Sequence, residues 1–204
     1  MQSDGQLETG MRQMFMAEAQ RVIEHAIING SGTLEPVGFL NNDGATNFPV
    51  DDVVNTLTYS QLCGLVANTM EHGKIDENGT VRDGVWVVSP GVLEAMKTKL
   101  KLPGGLERIL EQQGARYTID GYPVIPSNAV PNQVVNLDPP VPNDDVVKLA
   151  FLDAGEVHIG FWGGVRVSVD MFSNPLAPVF SFYFYYDVAL VHPPTVSVMN
   201  FRGK

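Results

Sequence analysis

Residues 27–40, IINGSGTLEPVGFL, interleave glycine with Ser and Thr behind an apolar run. Such a pattern can cradle a phosphate, hold a catalytic turn, or end a helix. A phosphate loop of the Walker type needs a strand before it, a Lys after its last glycine and a helix beyond. Here the preceding run has helical spacing, no Lys follows, and Pro36 blocks a new helix. The dinucleotide fingerprint fails as well, because Gly30-Ser31-Gly32 lacks a third glycine and a leading strand. A helix stop followed by a turn is the reading that survives.

The other chemistry-bearing residues are scattered. Asp76-Glu77-Asn78-Gly79 suggests a calcium loop, but an EF-hand wants its glycine sixth and a Glu twelfth, whereas Gly79 comes fourth. His25, His72, His158 and His192 never fall in a zinc-binding spacing and no cysteine pair accompanies them. His25, beside the apolar face of a helix, and His192, before two prolines, read as structural histidines, and no metal or cofactor is expected. Cys63, the single cysteine, excludes an internal disulfide, fits a reducing compartment and reads as a small buried thiol. No Gly-x-Ser-x-Gly elbow occurs. The acidic pairs Asp51-Asp52 and Asp144-Asp145 sit where carboxylates cap backbone N–H groups. A small acid-dependent hydrolase using Asp144 and Asp145 is an alternative that spacing cannot test, because carboxylate pairs meet in space. No catalytic residue is assigned.

The elements that would position these residues belong to a folded chain: 204 residues, 44% apolar and 18% charged. That length can bury about 70% of the unfolded surface. A formal net charge of −10 argues against a sequence-reading nucleic-acid partner. The polar opening MQSDGQLETG is no signal peptide, and no stretch reaches the ~20 apolar residues of a membrane span. A soluble protein made inside a cell is the expectation.

Helical spacing over 11–28 puts Met11, Met14, Phe15, Ala19, Val22, Ile23, Ala26 and Ile27 on one face. A second helix is expected over 51–71, a third from the Ser89-Pro90 start signal to about Leu100, and a fourth in GGLERILEQQG, stopping at Gly114. VWVV at 85–88 reads as a strand, and RYTI and YPVIPS flank Asp120-Gly121 as a hairpin. Residues 130–145 form a Pro- and Asn-rich loop, through which a binding module could hold a partner. VVKLAFL, VRVSVDMF, the aromatic VFSFYFYYDVALV and TVSVM are further strands. The aromatic strand, apolar on both faces, suits a position inside a two-layer domain, although some rings are candidates for contacts between subunits. The class is α+β, with helices early and strands late.

Four segments in this order carry a resemblance. AIINGSGTLEPVGFLN, DGVWVVSPGVLEAMKTKL, IDGYPVIPSNAVP, and the closing pair VKLAFLDAGEVHIGFWGGVRVSVD and YYDVALVHPPTVSVM resemble the major capsid proteins of tailed phages with the HK97-type fold, from about residue 15 to 200. The resemblance implies a peripheral domain made of a spine helix, residues 1–34, and a closing strand, 190–204, with an axial domain of mixed sheet and flanking helices, 35–189, inserted between them. It implies a structural shell subunit, not an enzyme, that associates with itself into pentameric or hexameric rings around double-stranded DNA. Scaffolding and portal proteins would be its partners in full length. Its place would be the virion, assembled in the bacterial host cytoplasm, with no membrane partner and no sequence-specific nucleic acid. An encapsulin-like compartment subunit is the alternative within the fold.

Two departures stand out. Family members carry an N-terminal arm and a long extended loop before the spine helix, which the ten residues before Met11 cannot hold, so the chain resembles the C-terminal portion of a capsid protein. Some members also cross-link a loop Lys to an Asn, promoted by a Glu. Aligned on the strand before Pro194, those last two positions fall on Ala177 and Phe184. Phenylalanine cannot take a proton, so that route is not expected here.

Overall fold

In the computed structural model, residues 4–50, 57–131, 145–170 and 179–202 are described. Among these residues nine strands form one seven-stranded sheet and one two-stranded ribbon, with three α-helices. The sheet runs in the order β1 (Thr46–Val50), β9 (Val196–Arg202), β6 (Asp145–Asp153), β2 (Gly84–Val88), β5 (Tyr122–Pro126), β4 (Arg116–Ile119) and β3 (Glu111–Gln113). Pairs β1–β9 and β2–β5 are parallel; the remaining pairs are antiparallel.

Side chains alternate across each strand, so β2, β6 and β9 can fill two cores at once. Trp86, Val88, Leu149, Phe151 and Met199 point to one face, where Leu62 and Leu65 of α2 (Tyr59–His72) and Val92 and Met96 of α3 (Pro90–Lys97) cover them. Val85, Val87, Ala150, Leu152, Val196 and Val198 point to the other, where Ile28 and the Phe39–Leu40 turn close it. Strands covered on both faces need continuous apolar runs, which is why VWVV and LAFL show no polar alternation. Fully burying each such side chain stabilises the fold by about 1.5–3 kcal/mol.

Local signals behave as their chemistry demands. Ser89 caps α3, its Oγ accepting from Val92 N at 3.3 Å, with Pro90 in the first turn. That helix ends at Lys97, a turn short of the expected Leu100. Asp120 and Gly121 both take left-handed backbone (φ 51° and 84°), as a two-residue hairpin turn between β4 and β5 requires. The second helix begins at Tyr59, eight residues after the expected start; Leu57 is buried ahead of it, and 51–56, with Asp51-Asp52, lie outside the described residues.

The fourth expected helix does not form. Residues 99–109 fold back on themselves, with Lys101 N donating to Glu107 O (2.9 Å), Ile109 N to Lys99 O (3.1 Å), and Leu100 bridging Arg108. Gly104 at φ 78° makes the turn, and Glu111–Gln113 then become β3. Ile109 and Leu110 are both buried at the end of this return, so their helical spacing from Leu106, which is 97% exposed, is coincidental.

Outside the sheet stand α1 (Asp4–Asn29) and a ribbon of β7 (Val157–Asp170) paired antiparallel with β8 (Val179–Leu190). The expected VRVSVDMF strand is the second half of β7; residues 171–178 are not among those described. The closing strand β9 lies inside the large sheet between β1 and β6, where Val196 and Val198 complete one core and Met199 the other. One placement differs from expectation: among the described residues the aromatic strand β8 is not sandwiched, having one strand partner, β7, and α1 on one face.

Candidate assembly surface

The NGSGT stretch is a helix end, and its glycines serve a close backbone crossing. Gly38 N donates to Gly30 O at 3.0 Å, and a Cβ on Gly30 would meet Pro36 O at 2.1 Å. Ser31 N donates to the Glu35 carboxylate at 3.1 Å, and the Asn41 amide donates to Asn29 O at 3.0 Å. Its polar groups are used internally, with an acceptor carboxylate where a phosphate would need a cation.

The histidines and carboxylates also resolve into local contacts. His72 Nδ1 lies 3.0 Å from Asn68 O, His25 lies 3.7 Å from Glu35, and His192 Nδ1 lies 2.7 Å from Glu156 Oε2. His158 is exposed on β7. Asp76 accepts from Asn78 N, Thr80 N and Thr80 Oγ1, which closes its turn and holds its carboxyl below the usual range, the Thr80 backbone contributing most. Glu156 is held low by Lys74 and then His192, and Glu18 by Arg21. A general acid needs the opposite displacement. Asp144 and the proline-rich loop over 132–144 lie outside the described residues, while Asp145 begins β6. Among the described residues no group of His, Cys, Asp and Glu could hold a metal ion. Cys63 is exposed on α2, contrary to the buried reading.

Spacing did not reveal one polar cluster. Lys101 Nζ reaches Glu111 Oε1 (2.9 Å) and Asp120 Oδ1 (3.0 Å), and Tyr59 Oη donates to Asp120 Oδ2 (2.8 Å). These contacts raise Lys101 above the usual lysine range, Glu111 foremost, and push Tyr59 up, Asp120 foremost. The cluster fastens the 99–109 return to α2 and to the β4–β5 turn, a positioning task.

Part of the open surface is apolar. Along β8 the even residues Phe182, Phe184 and Tyr186 are half-buried, and Phe15 of α1 stacks on Phe182 with ring centroids 4.1 Å apart. The odd residues Tyr183 and Tyr185 point away, 52% and 63% exposed. Trp162 pairs with Tyr185 across the ribbon and is 56% exposed, so the three rings share one bare face. Helix α1 adds to the open surface, with Met14 76% and Met16 53% exposed. The predicted stripe is therefore split: Phe15, Ala19, Ile23, Ala26 and Ile27 turn inward, Met14 and Val22 outward. An apolar groove of about 340 Å³ runs between Ile23, Ile27 and Ile28 of α1 and Phe161 of the ribbon. Phe184, where a cross-linking Glu would fall, packs edge-on against Phe15 at 6.2 Å; Ala177 lies outside the described residues.

Aromatic rings with an apolar body and a polar tip, bare over one face, suit contacts between proteins better than chemistry. The comparisons agree. The model of the phage capsid family matches residues 2–201, nearly the whole chain. The chain belongs to the phage capsid family. Among solved structures, the capsid of an empty GTA particle is similar at a TM-score of 0.65 and 18% identity, over 96% of this chain and 66% of that one. A chain from the structure of Gordonia phage Cozz gives 0.61 at 13% identity, over 98% and 64%. The SrpI encapsulin of Synechococcus elongatus PCC 7942 gives 0.60 at 18% identity, over 98% and 68%. These likenesses establish the HK97-type fold, and the capsid-family chain spans about two thirds of the length of each structure. No curated protein matches it by sequence.

Proposed function

We propose that this phage capsid protein is a shell subunit whose ribbon face and α1 seat neighbouring copies of itself, in pentameric and hexameric rings that enclose double-stranded DNA. The observation that carries this reading is the bare ring set Trp162, Tyr183 and Tyr185 on a chain of the capsid family. Contiguous exposed aromatics of this kind mark association surfaces. In this reading α1 and the ribbon form a peripheral unit, and the sheet with α2 and α3 forms an axial unit that turns its 99–109 return toward the ring axes. In this reading β9 is grouped with the sheet and β7–β8 with α1, where the expected division ran at 34 and 189.

The acidic surface keeps enclosed DNA loosely held, which suits a container. No helix among the described residues is long and apolar enough to cross a membrane. In this reading the subunit works without a cofactor and without catalysis, with scaffolding and portal proteins as its further partners, and assembly takes place in the bacterial host cytoplasm. A compartment subunit holding a protein cargo is the second reading, favoured by the likeness to the SrpI encapsulin, whose TM-score of 0.60 is a little below the GTA capsid's 0.65.

Light scattering followed by negative-stain microscopy tests the proposal. Rings or shells that disappear with Trp162→Ser and Tyr185→Asp are the expected result. A chain that stays monomeric at high concentration, or rings indifferent to both changes, would refute the ribbon face as the seat. Particles that retain DNA after nuclease treatment separate the capsid reading from the compartment one.

A further inference from the structure

The ribbon and the sheet body are joined by two chain crossings. One is the Ala154–Glu156 turn from β6 to β7, the other runs from Leu190 through the Pro193–Thr195 turn to β9. A single side chain ties both crossings together. Glu156 Oε2 meets His192 Nδ1 at 2.7 Å, and Val191 N donates to Glu156 O at 3.0 Å, so the first crossing holds the second by side chain and backbone alike. The other carboxylate oxygen, Oε1, meets Lys74 Nζ at 2.7 Å. Lys74 follows α2, which is itself fastened to β9 where Thr69 Oγ1 lies 2.9 Å from Ser197 Oγ.

The exposures are opposed. Glu156's side chain is 4% exposed, while Lys74 and His192 reach in from solvent at 65% and 64%. A carboxylate out of water is sustained only by its partners, so removing one leaves a charge that the site must move to rehydrate. Arg82, Asp83 and Asp153 also face this corner: Asp153 Oδ1 accepts from Gly155 N at 3.0 Å, and Ala154 N donates to Asp83 O at 3.0 Å. Hinges reside in a few element-terminal residues of this sort.

We propose that Glu156 is the pin of a hinge, fixing the angle at which the β7–β8 ribbon leaves the sheet body, and that neutralising it frees that angle while both units stay folded. The use of such an angle in closing a shell rests on the function proposed above; the hinge itself is a property of the single chain.

The test is a distance distribution between spin labels on the native, exposed Cys63 of α2 and on Ser168→Cys of the ribbon, diluted with unlabelled chain. In the otherwise unaltered protein a single narrow distribution is expected. Glu156→Gln should widen it, and Lys74→Met, which leaves the buried carboxylate without its first partner, should widen it as well. Far-ultraviolet circular dichroism should stay unchanged in both. Folded variants whose distributions superimpose on the unaltered one would overturn the proposal, as would unfolding of both variants. If only Glu156→Gln fails to fold, Lys74→Met decides: widening supports the hinge and no widening refutes it.

Discussion

The sheet body and the ribbon are built from the same residue types and do opposite things with them. In β2 and β6, Trp86 and Phe151 are fully buried, rings 4.7 Å apart, because helices and turns seal both faces of the sheet. In the ribbon, Phe182 is covered by α1 while Tyr183, one residue on, is half-exposed. Aromatic content does not determine burial; the number of layers packed against a strand does. One unit is complete as a monomer and the other has a face left over.

The contrast can be broken first from the body. Trp86→Ala should cost about 3–5 kcal/mol by cavity formation, a large share of the 5–15 kcal/mol typical of a domain, and chemical denaturation would register it. The ribbon should respond oppositely: Tyr185→Asp should leave the unfolding free energy within about 0.5 kcal/mol of the parent's, as exposed sites do, yet lower the association seen by light scattering. Between these extremes lies Phe182→Ala, which strips the covered side of the ribbon. Its stack on Phe15 should be worth about 0.5–1.5 kcal/mol beyond the area lost, and faster amide exchange in β8 than in β6 would locate the loss. Within the body a smaller loss than at Trp86 belongs to the α3 cap, where Ser89→Ala should cost about 1 kcal/mol by the same denaturation assay.

Acid should act on the joint between the two regions before it acts on either one. Glu156's folded pKa is depressed, chiefly by Lys74, so its contribution is complete above the ordinary glutamate value and is lost as pH falls through the lowered folded one. Amide exchange at the crossings, 154–156 and 191–195, should therefore rise below about pH 4, before the β2 and β6 amides respond. Simultaneous loss of both regions would count against a separate ribbon joint.

Much of the body was legible in the sequence. VWVV, Ser89-Pro90 and Asp120-Gly121 are local signals whose physics needs no distant partner, and each formed the expected element. The failures are non-local. GGLERILEQQG has helical spacing, but Ile109 and Leu110 answer to a core built by α2, α3 and β2, so the segment returns as an extended chain. The place of β9 depends on which strands flank it, which no window along the chain contains. The bare face was hidden for a different reason: even and odd residues of β8 are both aromatic, so alternation names no inner side until α1 is seen to cover Phe182. The Glu156 joint brings together residues 74, 156 and 192, separations that leave no motif.

The chain's two tryptophans stand one in each region, Trp86 sealed and Trp162 bare. Acrylamide quenching of the Trp86→Phe protein, followed across concentration, therefore reports on the ribbon face alone. A free subunit should be strongly quenched, and quenching should fall as rings form and neighbouring chains cover Trp162. Quenching that stays high in assembled particles, or is already low in the free subunit, would contradict the ribbon face as the surface on which copies meet.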